Sequence, residues 1–271
     1  MKLHRVLVSS AFLASVWCAV SATAQSSDLD CLIQADEVVG ISSPVEGLVE
    51  KVMVERGELI QEGQVLVTLE SSAERAALAV ARARAELESA IKSNQVRLEF
   101  GVRRYDRTID MFKKDLIPVK EMDEAETGKI LAELGLLEAQ ENRRLAELEL
   151  QRATVAVGLR TIRSPTTGFV MERALSPGEF VGQAPIFKVA RIDPLRVEVF
   201  VPVALFGKVA VGMRAHVMPE APVNGVHTAK VTIVDRVIDA ASGTFGVRLA
   251  LPNPDYRLPA GLKCKVRFLR D

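Results

Sequence analysis

Few residues in this chain are equipped for chemistry. His216 and His227 flank a turn at Pro219 to Gly225, with Met213 and Met218 close by in sequence. Two imidazoles and a thioether could hold a soft metal such as copper or silver; the alternative is ordinary strand-surface positions. The only other histidine, His4, falls with Trp17 and Cys18 in the first 24 residues, leaving Cys31 and Cys264 as the remaining thiols. No Gly-rich phosphate loop, nucleophile elbow or His-Glu-x-x-His zinc motif occurs. The plentiful acids sit at helix-surface spacing, where a solvated face is the usual role. An enzyme built on a His or Cys cluster is therefore not expected. Lys plus Arg (35) balance Asp plus Glu (35), so no basic field argues for a nucleic-acid partner. With 48% apolar and 26% charged residues, the composition is that of a folded protein.

The first element is a leader. Lys2 and Arg5 precede an apolar run from Val6 to Val20, and Ala22-Thr23-Ala24 is a small-x-small cleavage site. This predicts a cleavable signal peptide over 1–24, with an uncleaved anchor as the alternative. The apolar run is short for a bilayer span. Bulky Trp17 before Cys18 does not fit a lipoprotein cleavage box. The mature chain is expected to be soluble in an oxidising envelope compartment, with net charge −2 once Lys2 and Arg5 leave.

Two segments match at a constant offset of 121 residues. Ser43-Pro44-Val45-Glu46-Gly47-Leu48-Val49, followed by Gly57, Ile60, Val65 and Leu66, aligns with a second copy. That copy is Ser164-Pro165-Thr166-Thr167-Gly168-Phe169-Val170, followed by Gly178, Val181, Ile186 and Phe187. Each copy reads as short strands punctuated by Gly and Pro. Neither can bury a face alone, so the two are expected to form one small β-sandwich.

Between the copies the chain is rich in Ala, Leu, Glu and Arg. Ser71 and Glu74 resemble a capping box. One apolar seam runs Ala77, Val80, Leu87, Ile91, Leu98, Tyr105, Phe112, interrupted by Arg84, Asn94 and Thr108. Another runs Met122, Ala125, Ala132, Leu136, Ala139, Ala146, Leu150, Ala153, Val157, interrupted by Lys129 and Arg143. Sustained steps of three and four predict a coiled coil. Pro118 places the turn at Leu116 to Val119. Each helix should then be roughly 40 to 45 residues, about 65 Å long. After Asp193, alternation in Leu195–Val201 and runs at 214–218, 229–238, 245–251 and 262–269, separated by Gly and Pro turns, predict a small β-barrel or sandwich.

This order resembles the periplasmic adaptor family, also called membrane fusion proteins, of the haemolysin-secretion and RND-efflux type. The likeness rests on the two half-motifs, which look like halves of a lipoyl or biotinyl carrier domain, and on three further stretches. These are Ile162-Arg163-Ser164-Pro165 with Gly168, Gly243-Thr244-Phe245-Gly246-Val247-Arg248, and Leu251-Pro252-Asn253-Pro254 with Leu258-Pro259-Ala260-Gly261. The implied fold is mixed α+β: a long antiparallel coiled-coil hairpin (71–160) inserted in a split lipoyl-like β-sandwich (42–70 and 161–191). A small antiparallel β-barrel (192–271) follows, joined by an N-terminal strand (25–41).

The resemblance implies a non-catalytic periplasmic adaptor. It would bridge an inner-membrane efflux or secretion pump to an outer-membrane channel and form rings with copies of itself. A free-standing carrier or a structural envelope protein is the alternative. The RND-type hairpin tip carries an Arg, a Leu four residues on, and a Ser seven further. Here those places hold Arg107, Met111 and Pro118, so the Ser is lost, and Leu116 joins them as a docking candidate. A carrier's Lys-bearing turn is replaced by the hairpin, and Glu70-Ser71-Ser72 holds no Lys, so no swinging-arm cofactor is expected. Family members often continue past the barrel, whereas here the sequence ends after the last predicted strand; the pump would meet the barrel, or belong to another class. In the family the segment around Cys31 runs through the barrel and Cys264 lies in its last strand, so the two are expected to form a disulfide. Two buried apolar thiols are the alternative.

Overall fold

A computed structural model describes residues 28–269; the expected leader lies outside the described residues. The chain divides into two compact units. One comprises 34–196 with 252–261, the other 28–33, 197–251 and 262–269.

In the first unit the duplication is realised as an exchange. Copy one supplies β2 (Gly47–Val52), β3 (Leu59–Ile60) and β4 (Val65–Leu69). Copy two supplies β6 (Gly168–Arg173), β7 (Phe180–Val181) and the start of β8 (Phe187–Pro202). The short strand β5 (Thr161–Arg163) pairs with β4. β7 crosses to pair with β2, and β3 crosses to pair with β6. The swap is hydrogen-bonded reciprocally. The Val49 amide donates to the Glu179 carbonyl at 2.9 Å and the Val170 amide to the Glu58 carbonyl at 3.0 Å. Gly178 and Gly57, at φ +88° and +87°, return the favour to Val49 and Val170. Only glycine adopts that backbone without strain. Both turns also start alike, the Ser43 and Ser164 hydroxyls donating to the carbonyls of Val45 and Thr166.

The core lies between these exchanged strands and includes Ile60, Leu66, Leu69, Val181, Ile186 and Phe187, all at most 1% exposed. Apolar burial at roughly 25 cal/mol per Å² is the main force available to a unit of this size.

The helical segment is a hairpin of three helices: α1 (Ser72–Ala85), α2 (Ser89–Phe112) and α3 (Val119–Gly158). It leaves the sandwich at a single point, because the Leu69 amide donates to the Arg160 carbonyl at 2.8 Å. The Arg160 guanidinium also pairs with Glu74 on α1 and donates to the Glu46 carbonyl. This guanidinium lies over Gly47, where a Cβ would displace it.

The second seam lies inward along α3 as the spacing predicts, and the first does so along α2. Its interruptions are accommodated. Asn94 lies over Gly135 and donates to the Ala90 carbonyl. Lys129 sits 5.2 Å from the Tyr105 ring centroid, and Arg143 reaches Glu88 and Glu147.

Two expectations differ. The outgoing arm is not one helix but breaks at 86–88, and in α1 the inward face is Leu78, Ala81 and Ala85 rather than Ala77, Val80 and Leu87. Val80 is 54% and Leu87 64% exposed. The break removes the turn that would keep the two stretches in one heptad phase. Second, Ser71 provides no side-chain cap; Glu70 accepts the Ser72 amide instead.

The other unit is a closed strand order. β1 (Leu29–Ile41) pairs with β12 (Leu262–Phe268), then follow β9 (Arg214–Pro219), β10 (His227–Asp239), β11 (Thr244–Leu251) and β8, which pairs again with β1. Inward positions alternate: Val197, Val199 and Val201 on β8, Ala215 and Val217 on β9, Phe245, Val247 and Leu249 on β11. Closure leaves few open edges.

Candidate functional site

The hairpin tip is built by a helix C-cap. Asp115 adopts φ +55°, the Leu116 amide donates back to the Met111 carbonyl, and the Asp115 amide to that of Phe112. This is the Schellman arrangement with Asp in place of glycine at the left-handed position. It ends α2 earlier than the expected turn, leaving Lys113–Pro118 as the connection, with Pro118 extended ahead of Val119. Met111, Leu116 and Val119 are exposed together at this end, and Arg107 is exposed one turn below Met111. The cap thus holds three apolar side chains in water at the tip.

A second apolar line on α3 was not foreseen. Ile130, Leu134, Leu137, Leu145, Leu148 and Val155, at steps of 4, 3, 8, 3 and 7, fall on one side of the helix outside the seam and are exposed. The signal was in the sequence, in α3 carrying more leucines than one seam uses.

In the barrel, Cys31 and Cys264 face each other directly across β1 and β12, Cα atoms 4.8 Å apart and sulfurs 2.06 Å apart. Both point into the core. On the outer face of the same two strands Arg267 grips Asp28 through two hydrogen bonds, and Lys265 meets Asp30. The guanidinium holds the Asp28 carboxyl below its usual range, and Asp30 raises the Lys265 ammonium above its own.

The histidines are not brought together. His216 stands directly opposite Thr228 and Arg267, whereas His227 stands opposite buried Val217. Opposed residues share a sheet face, so the two imidazoles leave opposite faces. The soft-metal reading of the pair is therefore withdrawn. Among the described residues no group of three or more His, Cys, Asp or Glu could hold a metal ion. No described helix is long and apolar enough to cross a membrane.

Residues 37–191 match the family model of the CzcB-like barrel-sandwich hybrid domain, and residues 195–271 that of the CusB-like β-barrel domain. An uncharacterized protein of Haemophilus influenzae is 23% identical over 88% of this chain and 56% of its own length. The nickel and cobalt resistance protein CnrB of Cupriavidus metallidurans is 26% identical over 84% of this chain and 54% of its own. The chain thus spans about half the length of these relatives. Among solved structures, MacA from Actinobacillus actinomycetemcomitans superposes with a TM-score of 0.75 at 20% identity, covering 89% of this chain and 77% of that one, which shows a shared fold. Neither matched model is that of an enzyme. A duplicated sandwich that opens only to emit a helical hairpin, followed by a closed barrel, and the match of family models to both parts, place this chain in the periplasmic adaptor, or membrane fusion protein, family.

Proposed function

We propose that this protein is the adaptor of an efflux machine, exported to the periplasm by its leader, where it bridges an inner-membrane transporter and an outer-membrane channel without catalysing a reaction. The observation that carries this reading is the hairpin's insertion between two directly paired strands, β4 and β5, at the turn where a carrier domain displays its Lys. The chain puts a long projecting arm where a cofactor would sit. Its apolar tip, Met111, Leu116 and Val119 with Arg107 and Pro118 beside them, is the channel-facing end. The three-four spacing of the inward residues supports coiled-coil packing of the arm. The outward line on α3 supports packing of hairpins side by side in a ring, because an apolar line of that length seeks a partner helix. The name of the relative CnrB supports divalent transition-metal cations as the exported cargo. The facing geometry of Cys31 and Cys264 supports a disulfide in the exported protein.

In-cell photo-crosslinking from Thr108 and Val119 tests the bridge. An adduct with an outer-membrane channel protein is expected. Adducts only with itself or with peptidoglycan-linked proteins, despite correct export, would overturn it. Loss of nickel and cobalt tolerance on deleting the gene checks the cargo separately.

A further inference from the structure

The barrel is closed by the pairing that its chain can make last. β1 pairs with β12 over five residues, from Leu29 opposite Val266 to Ile33 opposite Leu262. Cys31 and Cys264 face each other in the middle of that ladder, 233 residues apart in sequence. Loop-closure entropy opposes so distant a pairing. The other strands of the unit are better placed. β9, β10 and β11 follow one another as antiparallel neighbours, so their pairings are local. β12 keeps a second ladder with β9, from Cys264 opposite Pro219 to Phe268 opposite Ala215.

Little besides the sulfurs secures the barrel part of β1. Between Leu29 and Ile33 only Cys31 and Ile33 are buried, whereas β11 buries Phe245, Val247, Leu249 and Leu251. The outer face adds two surface ion pairs, Asp28 with Arg267 and Asp30 with Lys265, which contribute little in water. With both thiols reduced, this segment is held by its ladders to β12 and β8, one isoleucine and an unbonded Cys31. A disulfide changes that balance in a different way from a further contact, because it removes conformational freedom from the open chain. Without it, β1 can lift away and uncover the edges of β12 and β8.

We propose that closure of the barrel waits for oxidation: Cys31 and Cys264 are a modification site for a protein disulfide oxidant of the envelope, and the chain acquires its closed barrel only after export. The place of oxidation rests on the export reading above. The step is a thiol–disulfide exchange. The Cys31 thiolate attacks one sulfur of the oxidant's disulfide, and the oxidant's other sulfur leaves as a thiolate. The Cys264 thiolate then attacks the Cys31 sulfur of this mixed disulfide, forming the intramolecular bond and releasing the oxidant as a dithiol. The two thiols lose two protons and two electrons, and the oxidant's disulfide takes both up. Cys31 makes the first attack because it travels with the strand that is free to lift. Cys264 stays in its ladder with β9 and is 1% exposed. In a reducing compartment the barrel stays open.

The test follows amide exchange in the full exported chain, purified without reductant, before and after a phosphine reductant has freed both thiols in native buffer. The Cys31→Ala, Cys264→Ala chain is measured beside it, so a bond that resists the reductant still leaves an open form to compare. Exchange at 29–33 and 262–266 is expected to rise roughly thirtyfold or more, while β2 at 47–52 keeps its protection. In cells, Cys264→Ala should accumulate a mixed disulfide through Cys31, identified by mass spectrometry, and Cys31→Ala should accumulate far less. Unchanged exchange at 29–33 in the open forms would overturn the proposal, because the barrel would close without the bond. Equal acceleration at β2 would overturn it too, as general unfolding. So would a mixed disulfide mainly from Cys31→Ala, or none from Cys264→Ala. An exported chain recovered with both thiols free defeats this proposal alone; a chain retained in the cytoplasm with its leader defeats the export reading with it.

Discussion

The sandwich and the hairpin bury their residues in opposite styles. The sandwich concentrates thirteen buried apolar residues in one core closed by two exchanged copies. The hairpin is longer, yet its buried apolar residues are the four alanines Ala81, Ala85, Ala125 and Ala139. The first region is stable through its own interior. The second is a thin two-layer arm, and much of its apolar surface, from Val80 and Leu87 to Leu145 and Leu148, faces outward. The difference teaches where function lies: an element that leaves this much apolar surface in water is shaped for partners.

The contrast can be broken most sharply in the core. Phe187→Ala should cost about 3–5 kcal/mol, whereas Leu98→Ala, half-buried in the hairpin, should cost about 1 kcal/mol. Denaturant unfolding read by hydrogen exchange at β2 and at α2 checks both, and equal losses would end the distinction. Next in size is the barrel staple. Thiol titration of denatured, unreduced protein should find neither Cys31 nor Cys264 free. Replacing both with Ala should then cost about 2–5 kcal/mol.

Arg160→Met tests the joint between the regions' strands and helices. It strands the half-buried Glu74 carboxylate and should cost about 1–3 kcal/mol, with exchange accelerating at the start of α1. An effect no greater than that of Arg84→Met, an exposed ion pair with Glu149, would show that the clamp does nothing special. Leu145→Glu with Leu148→Glu sharpens the comparison from the other side. Stability of the isolated chain should stay within about 0.5 kcal/mol, while sedimentation should show self-association lost. A parent chain that stays monomeric at every concentration would remove the side-by-side reading.

The smallest expected effect is a pH dependence at β1. Asp28 is held below its ordinary 3.8 by Arg267. A depressed carboxyl contributes stability that is present above its unfolded value and lost as pH falls through its folded one. Exchange at amides 29–33 should therefore accelerate only in acid below that value, and Arg267→Gln should abolish the step. The pair is exposed, so the change should be slight.

Much of the fold was legible because repetition and period survive in a sequence. The offset of 121 residues reappears as equal strand boundaries, β2 with β6 and β3 with β7. The α3 seam was readable because Ala recurs at every seventh place, Ala125, Ala132, Ala139, Ala146 and Ala153, with Leu136 and Leu150 between. The α1 seam misled. Ala77, Val80 and Leu87 fit the heptad as well as Leu78, Ala81 and Ala85 do, and nothing local reveals a break at 86–88. The histidines left two readings open, because closeness in sequence across a hairpin does not tell which face each residue takes until register is known.

What the sequence by itself determined is the kind and order of elements: split duplicated half-motifs, a Pro-turned helical insert, and Gly-punctuated strands. These rest on local preference and period, which neighbouring residues carry among themselves. Tertiary structure alone decided that the two copies exchange their short strands, which of two phases α1 turns inward, and that Cys31 meets Cys264. Those outcomes depend on register between distant strands and on competition for burial, and a single residue's slip would change every one of them.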